Sequence, residues 1–265
     1  MSRDQIRNQL PSLLLFALFL IFWELLARHM NAAYILPSPT QILRRIYELR
    51  APLLLVHLPA TMEVVAISLL LSLLLGIFLA VLMDQSPTAE HALYPLLVAS
   101  QTIPTTALAP LFVLWLGYGV WSKVLAAVLM TFFPIAVTLS DGFRAIPPEM
   151  TELMQTLGAT RAQLFWKLKL PAVLPYFFTA IRMAIPLSVI GAAIGEWLGA
   201  QAGLGYFSRR MMTQLDGAGV FAPIVLLSFA AMLLTELAKR IEARALRFRN
   251  HQTKDQNKTK RRRDS

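Results

Sequence analysis

The run Met62-Glu63-Val64-Val65-Ala66-Ile67-Ser68-Leu69-Leu70-Leu71-Ser72-Leu73-Leu74-Leu75-Gly76-Ile77-Phe78-Leu79-Ala80-Val81-Leu82-Met83 decides the fold. After Glu63 it carries no charge, and about 20 mostly apolar residues are what a membrane-spanning helix needs. Working outward, five more runs of this kind lie at 10–28, 92–116, 121–141, 174–197 and 219–238. The expected architecture is therefore an all-α polytopic membrane protein with about six transmembrane helices. Composition agrees. Of 265 residues, 56% are hydrophobic and only 15% are charged, where a soluble domain carries roughly 25%.

Cysteine is absent, which excludes disulfides, thiol catalysis and thiolate metal sites. The four histidines (His29, His57, His91, His251) are scattered, so none has a partner at metal-ligand spacing. No metal, catalytic residue or bound cofactor is expected. The net charge of +10 is concentrated at one end: eleven of the 25 Lys and Arg lie between Lys239 and Arg263. Such a tail holds the C-terminus in the cytoplasm and touches anionic lipid. With both termini inside, the inner segments hold 17 Lys and Arg and the outer ones seven, as the positive-inside bias requires. Arg182 falls within the fifth span near its inner end, where it is expected to snorkel. The apolar run after Arg3 and Arg7 is too long for a signal-peptide core and lacks a nearby Ala-x-Ala-like site, so it reads as the first membrane helix.

Two segments between spans are patterned. In the outer one, 29–61, Ser38-Pro39-Thr40-Gln41 reads as a capping box with proline at the first helical position. Ile42, Leu43, Ile46 and Leu49 then share a face, giving an amphipathic helix in the outer interface or a spacer packed on the bundle. In the inner one, 142–173, Pro148 opens a helix whose first turn carries Glu149 and Glu152. Met150, Leu153, Met154 and Leu157 form one apolar stripe, and Gly158 ends the helix. Thr160-Arg161-Ala162-Gln163 is a second capping box, and the short helix after it is expected to end at Pro171. An apolar stripe with an acidic edge suits a protein groove; the competing reading is an interfacial hairpin on lipid.

Polar groups inside apolar spans are the candidates for a substrate pathway, because they are costly in a membrane and face the bundle interior. Ser100, Gln101, Thr102, Thr105 and Thr106 lie in the third span beside Pro104 and Pro110, which break its helix. Glue between packed helices is the alternative role for them. Glu196 and Trp197 lie near the outer end of the fifth span, where a carboxylate favours a neutral or cationic cargo; an interfacial pair is the bland alternative.

The stretch Glu152-Leu153-Met154-Gln155-Thr156-Leu157-Gly158, followed by Leu168-Lys169-Leu170-Pro171, resembles the signature loop of binding-protein-dependent ABC importer permeases. That loop reads Glu-Ala-Ala, three residues, Gly, nine residues, Ile-x-Leu-Pro. Leu153, Met154 and Leu168 depart from it. The resemblance extends through Ile35-Leu36-Pro37-Ser38-Pro39, Leu114-Trp115-Leu116-Gly117-Tyr118-Gly119, Phe132-Phe133-Pro134 and Gly203-Leu204-Gly205-Tyr206 to the nitrate/sulfonate/taurine-type subgroup. Ser100-Gln101-Thr102-Ile103-Pro104 and Gly195-Glu196-Trp197-Leu198-Gly199-Ala200 look most like permeases for hydroxymethylpyrimidine, a thiamine precursor.

The resemblance implies a type I ABC importer permease in a bacterial inner membrane. Its layout is an N-terminal helix and outer amphipathic helix at 1–56, a transmembrane domain at 57–240 with its coupling loop at 142–173, and a basic, disordered tail at 241–265. The implied partners are a cytoplasmic ATPase dimer, which binds the ATP and Mg, a periplasmic or lipid-anchored substrate-binding protein, and a second permease subunit, economically another copy of this chain. ATPase coupling is implied for Glu152, Leu153, Leu157, Gly158 and Pro171, while Gln101, Thr102, Thr105, Thr106, Glu196 and Trp197 remain the pathway candidates on the polar-residue argument alone. The absence of a Gly-x-x-x-x-Gly-Lys-[Ser/Thr] loop means that this chain is not the ATPase. The cargo expected is a pyrimidine, with nitrate, sulfonate or taurine as the alternative; a secondary transporter without ATPase is the alternative from another class.

Overall fold

The computed structural model describes residues 3–246, and the described residues are helical throughout, joined by short turns. Ten helices follow one another: α1 (Arg3–Met30), α2 (Pro39–Glu48), α3 (Arg50–Gln85), α4 (Pro87–Ser100), α5 (Thr105–Leu116), α6 (Val120–Arg144), α7 (Pro148–Thr156), α8 (Arg161–Gly199), α9 (Leu204–Thr213) and α10 (Gly217–Ala245). Among them α1, α3, α6, α8 and α10 are long and apolar enough to cross a membrane. α4 and α5 pass the same test together but meet at 93°. The run expected as the third span is thus two helices meeting at a corner, a broken span or a re-entrant loop, with prolines on both sides of the corner.

Proline explains the other departures too. Pro171 was expected to end the short helix after Thr160, yet α8 runs through it, as α3 runs through Pro59. Each is preceded by a wide turn, over Leu53–His57 and Phe165–Lys169, in which Leu58 N–H reaches back to Leu53 O and Leu170 N–H to Phe165 O. A turn closed by an i→i−5 bond is broad enough to relieve the clash between the proline ring and the carbonyl four residues back. Pro171 therefore does not end the helix after Thr160 but sits inside α8. The boundary expected at 56/57 likewise falls within α3. At the far end α10 runs on past 238 to Ala245; the basic tail from 247 lies outside the described residues.

The centre of the bundle is α6, where more than half of the residues in its most apolar stretch are buried, flanked by α3 and α8, whereas the Leu10–Met30 part of α1 is almost wholly exposed and presents Leu15, Phe16 and Leu18 outward. Small residues allow the close approach that substitutes for a hydrophobic driving force in lipid. A Cβ added at Gly191 of α8 would lie 2.6 Å from the Ala127 Cα of α6. Ser72 of α3 and Thr131 of α6 share a buried hydrogen bond. Arg182 does not simply snorkel: it pairs with Glu242 of α10 at 2.8 Å.

α2 begins as its capping box requires. Ser38 N–H donates to Gln41 Oε1 at 2.9 Å, and Ser38 Oγ accepts from Gln41 N–H at 3.3 Å. Ile42 is buried and Ile46 and Leu49 pack on the core, while Leu43 is exposed, so α2 lies against the bundle rather than free in the interface. Thr40 of α2 donates through its hydroxyl (2.7 Å) and its N–H (3.1 Å) to Glu24 of α1. Arg45 reaches Asp216 at 2.7 Å, ahead of α10, and with Arg44 holds the Glu48 carboxyl below its ordinary range.

Candidate functional site

The segment between α6 and α8 stands at one end of the bundle. Pro148 occupies the first turn of α7 with Glu149 beside it, where an acidic group meets the positive end of the helix. Met150, Leu153 and Leu157 are 52%, 60% and 74% exposed, so among the described residues their stripe is left open. Gly158 has φ +78°, the left-handed conformation that closes a helix and that glycine takes without steric cost. Gly158 N–H donates to Gln155 O at 2.9 Å and Ala159 N–H to Met154 O at 3.0 Å. Nothing lies within 4 Å of a Cβ built there. Thr160 then caps α8, accepting from Gln163 N–H at 3.3 Å. Phe165 of α8 stacks on Phe143 of α6, centroids 6.4 Å apart, so the segment is anchored at its base while its apolar stripe stays open. Glu152, Leu153, Leu157 and Gly158 all belong to this projecting part, and Pro171 lies beyond its base.

The polar residues at the corner divide. The Ser100 and Thr102 hydroxyls turn back on the end of α4, donating to Leu97 O at 2.6 Å and Ala99 O at 2.8 Å. Ser100, Gln101 and Thr105 line a cavity of about 360 Å³ with Phe133 and Leu187. Thr106 instead faces a groove of about 660 Å³ between α5, α8 and α10, together with Trp197, Ile190, Leu227 and Ser228. The lining of that groove includes two hydroxyls and no charged side chain.

Glu196 is one residue from Trp197 but on another face of α8, as a rotation of 100° per residue dictates. It is 1% exposed and lines neither hollow. Its Oε2 accepts from Gly205 N–H at 2.8 Å and Thr61 Oγ1 at 3.1 Å. Thr61 Oγ1 also accepts from Leu204 N–H at 2.8 Å, and His57 Nδ1 accepts from Gly203 N–H at 3.2 Å. Three successive N–H groups that open α9 are therefore satisfied by side chains from α3 and α8. A helix start leaves such donors without intrahelical partners, and inside a bundle they need partners. The interfacial placing of Glu196 is corrected: it is a buried cap.

α9 was not expected from the sequence. Its signal was present, since Leu204, Phe207, Ser208 and Met211 follow i, i+3, i+4, i+7 spacing and all four are buried. His57 and Thr61, its caps on α3, carried no comparable signal.

Residues 72–247 match the family described as binding-protein-dependent transport system inner membrane component. The formylaminopyrimidine transport permease protein ThiX of Halalkalibacterium halodurans is 53% identical over 239 residues, covering 90% of this chain and 96% of the relative. The riboflavin transport system permease protein RibX of Chloroflexus aurantiacus is 34% identical, covering 87% of each chain. The taurine transport system permease protein TauC of Escherichia coli is 28% identical, covering 88% of this chain and 85% of its own. In fold, the chain superposes on one from inward-facing MetNI methionine ABC transporter with a TM-score of 0.58, at 21% identity, covering 79% of this chain and 98% of that one. Together with the apolar helices and the projecting α7, these matches establish that the chain belongs to the family of binding-protein-dependent transport system inner membrane components, as a multi-pass permease subunit of an ABC importer that works with a separate ATPase and a substrate-binding protein.

Proposed function

We propose that this permease imports a thiamine-precursor pyrimidine of the formylaminopyrimidine or hydroxymethylpyrimidine class. The observation that carries the reading is the 53% identity to ThiX across 90% of the chain. The groove supports it: Trp197 offers a ring face, Thr106 and Ser228 offer hydroxyls, and its lining holds no cation. A flat neutral heterocycle suits that surface, which gives nitrate or a sulfonate no counter-charge. Glu196, occupied with α9, takes no part in selecting the cargo.

In this reading two copies of the chain face each other, with both termini cytoplasmic. The excess of Lys and Arg on the inner segments supports that orientation. ATP and Mg bind to the ATPase subunits. The exposed stripe Met150, Leu153, Leu157, edged by Glu152, seats in a groove of the ATPase in the helix-in-groove mode, and Gly158 sets the angle at which it projects. α8 then carries the movement. Its 39 residues span about 58 Å, joining the docking end to Trp197 at the other. Gln101, Thr102 and Thr105 stand at the break of α4 and α5, where a change of angle alters the pathway wall.

The test is uptake of labelled hydroxymethylpyrimidine into proteoliposomes containing the permease, its ATPase and its binding protein. ATP-dependent uptake that excess taurine and nitrate leave unchanged is the expected result. Uptake of taurine or nitrate but not of the pyrimidine would refute the cargo assignment.

A further inference from the structure

The corner between α3 and α4, at Ser86, lies at the same end of the bundle as α7. Asp84 precedes it and Glu90 follows it. Lys169 of α8 places Nζ at 2.7 and 2.8 Å from the two oxygens of Asp84. This pair is shielded, with side chains 21% and 9% exposed. On the other side Arg144, the last residue of α6, forms an ion pair with Glu90 and lays its guanidinium over the Tyr94 ring, 5.1 Å from the centroid. Arg144 also stands 3.8 Å from Asp141. Arg144 and Lys169 thus bracket α7 in sequence and grip the same corner in space.

α4 packs chiefly along α3; Arg144 ties α6 to Glu90 and Tyr94 of α4, while Lys169 ties α8 to Asp84 at the end of α3, two residues before the corner. The far end of α4 is Ser100, where the helix breaks and the cavity beside Gln101 opens. We infer that Arg144 and Lys169 form a clasp that passes the movement of the docking segment to α4, and through α4 to the break beside the pathway. They are positioning residues and touch neither cargo nor ATPase. The inference rests on the docking role proposed for α7. A short charged pair suits the task because it holds two surfaces in fixed register. Two grips on either side of one corner make the corner follow the segment as a body, in the manner of a rigid-body transition.

The experiment uses the complete importer in proteoliposomes and reads three quantities: ATPase retained on purification, ATP hydrolysed, and cargo taken up. Arg144→Gln and Lys169→Gln are expected to keep the ATPase and its basal hydrolysis while uptake per ATP falls at least tenfold. Reversing the pair, Arg144→Glu with Glu90→Arg, should restore uptake per ATP to within threefold of the parent. Because the chain has no cysteine, Asp84→Cys with Lys169→Cys offers an independent measure. Uptake should be low in that double variant and recover when a short bifunctional thiol reagent bridges the two positions. Unchanged uptake per ATP in the glutamine variants would overturn the clasp, and so would a bridged pair that stays inactive. Loss of the ATPase from Arg144→Gln would also overturn it, by placing Arg144 in the docking surface. If instead the parent chain never retains the ATPase, it is the docking role of α7 that fails.

Discussion

Replacing Glu196 separates a carboxylate that meets cargo from one that holds the fold. In Glu196→Ala, Gly205 N–H loses its acceptor at 2.8 Å. Thr61 keeps one, because the His57 carbonyl lies 3.2 Å from Oγ1. One buried N–H is therefore orphaned, at a cost of about 1–3 kcal/mol. Removing the side chain also leaves a void that costs about 1–2 kcal/mol more, partly offset because a buried carboxylate no longer has to be desolvated. The net expectation is a loss of about 2–4 kcal/mol, or a fall in melting temperature of about 5–15 °C at this chain length. Glu196→Gln keeps an acceptor for both donors and sets its amide where Oε1 has no partner, so its cost should stay within about 1 kcal/mol. Thermal unfolding in detergent, followed by the loss of the monodisperse size-exclusion peak, measures stability, and uptake per folded complex measures function. We expect Glu196→Gln to melt within a few degrees of the parent and to transport, and Glu196→Ala to melt early. Should Glu196→Gln melt like the parent and yet fail to transport, the charge itself would be acting on the cargo and the capping role would be refuted.

Gly203→Ala should destabilise at least as much as Glu196→Ala, since its Cβ would overlap the Glu196 carboxyl group at φ +112°; the double variant should lose less than the sum of the two in the same melting assay. Gly158→Ala and Gly158→Leu both force a left-handed residue at φ +78° into open space, so each should cost the isolated chain about 1–2 kcal/mol. Retention of the ATPase should fall further for Leu than for Ala, and equal retention would remove Gly158 from the contact. Leu157→Asp, at a side chain 74% exposed, should leave the melting temperature of the isolated chain within about 2 °C. It should weaken binding of the ATPase by about 30-fold or more if Leu157 anchors the docked helix, as titration of the purified subunits would show.

Features set by adjacent residues were legible in the sequence. Ser38-Pro39 and Thr160 start their helices as their capping boxes state, and Pro148 and Gly158 bound α7, because a cap or a left-handed turn is a property of a few neighbouring residues. Proline was harder to read. Pro59 and Pro171 have the pattern of boundaries, and only the wide turns before them, which sequence spacing does not announce, let the helices continue. Pairings between distant residues were not legible. Arg182 looked like a snorkelling residue because the last span was ended at 238, short of Glu242, its partner on the extension of α10. Glu196 looked interfacial because its partners Thr61 and Gly205 are separated from it by 135 and nine positions. In both cases the charge was placed correctly along the chain and the missing information was which face of which helix stood opposite.

The consecutive residues Glu196 and Trp197 carry the link between the two ends of the molecule. Trp197 walls the groove, and Glu196 on the adjacent face fastens that part of α8 to α9 and, through Thr61, to α3. At the opposite end Lys169 fastens α8 to α3 again through Asp84. A helix held to the same neighbour near both of its ends cannot pivot on that neighbour; it can only move with it. In the proposed coupling, movement delivered at α7 cannot be spent on sliding α8 along α3, and must appear where no such fastening exists. The candidate is the 93° corner of α4 and α5, where the Ser100 and Thr102 hydroxyls donate to carbonyls of α4 itself and a change of angle has little to break. The polar residues at that corner then need not hold the cargo tightly. Their role is to keep a bent, partly opened backbone satisfied while the angle changes, which is the condition for a broken helix to exist inside a membrane.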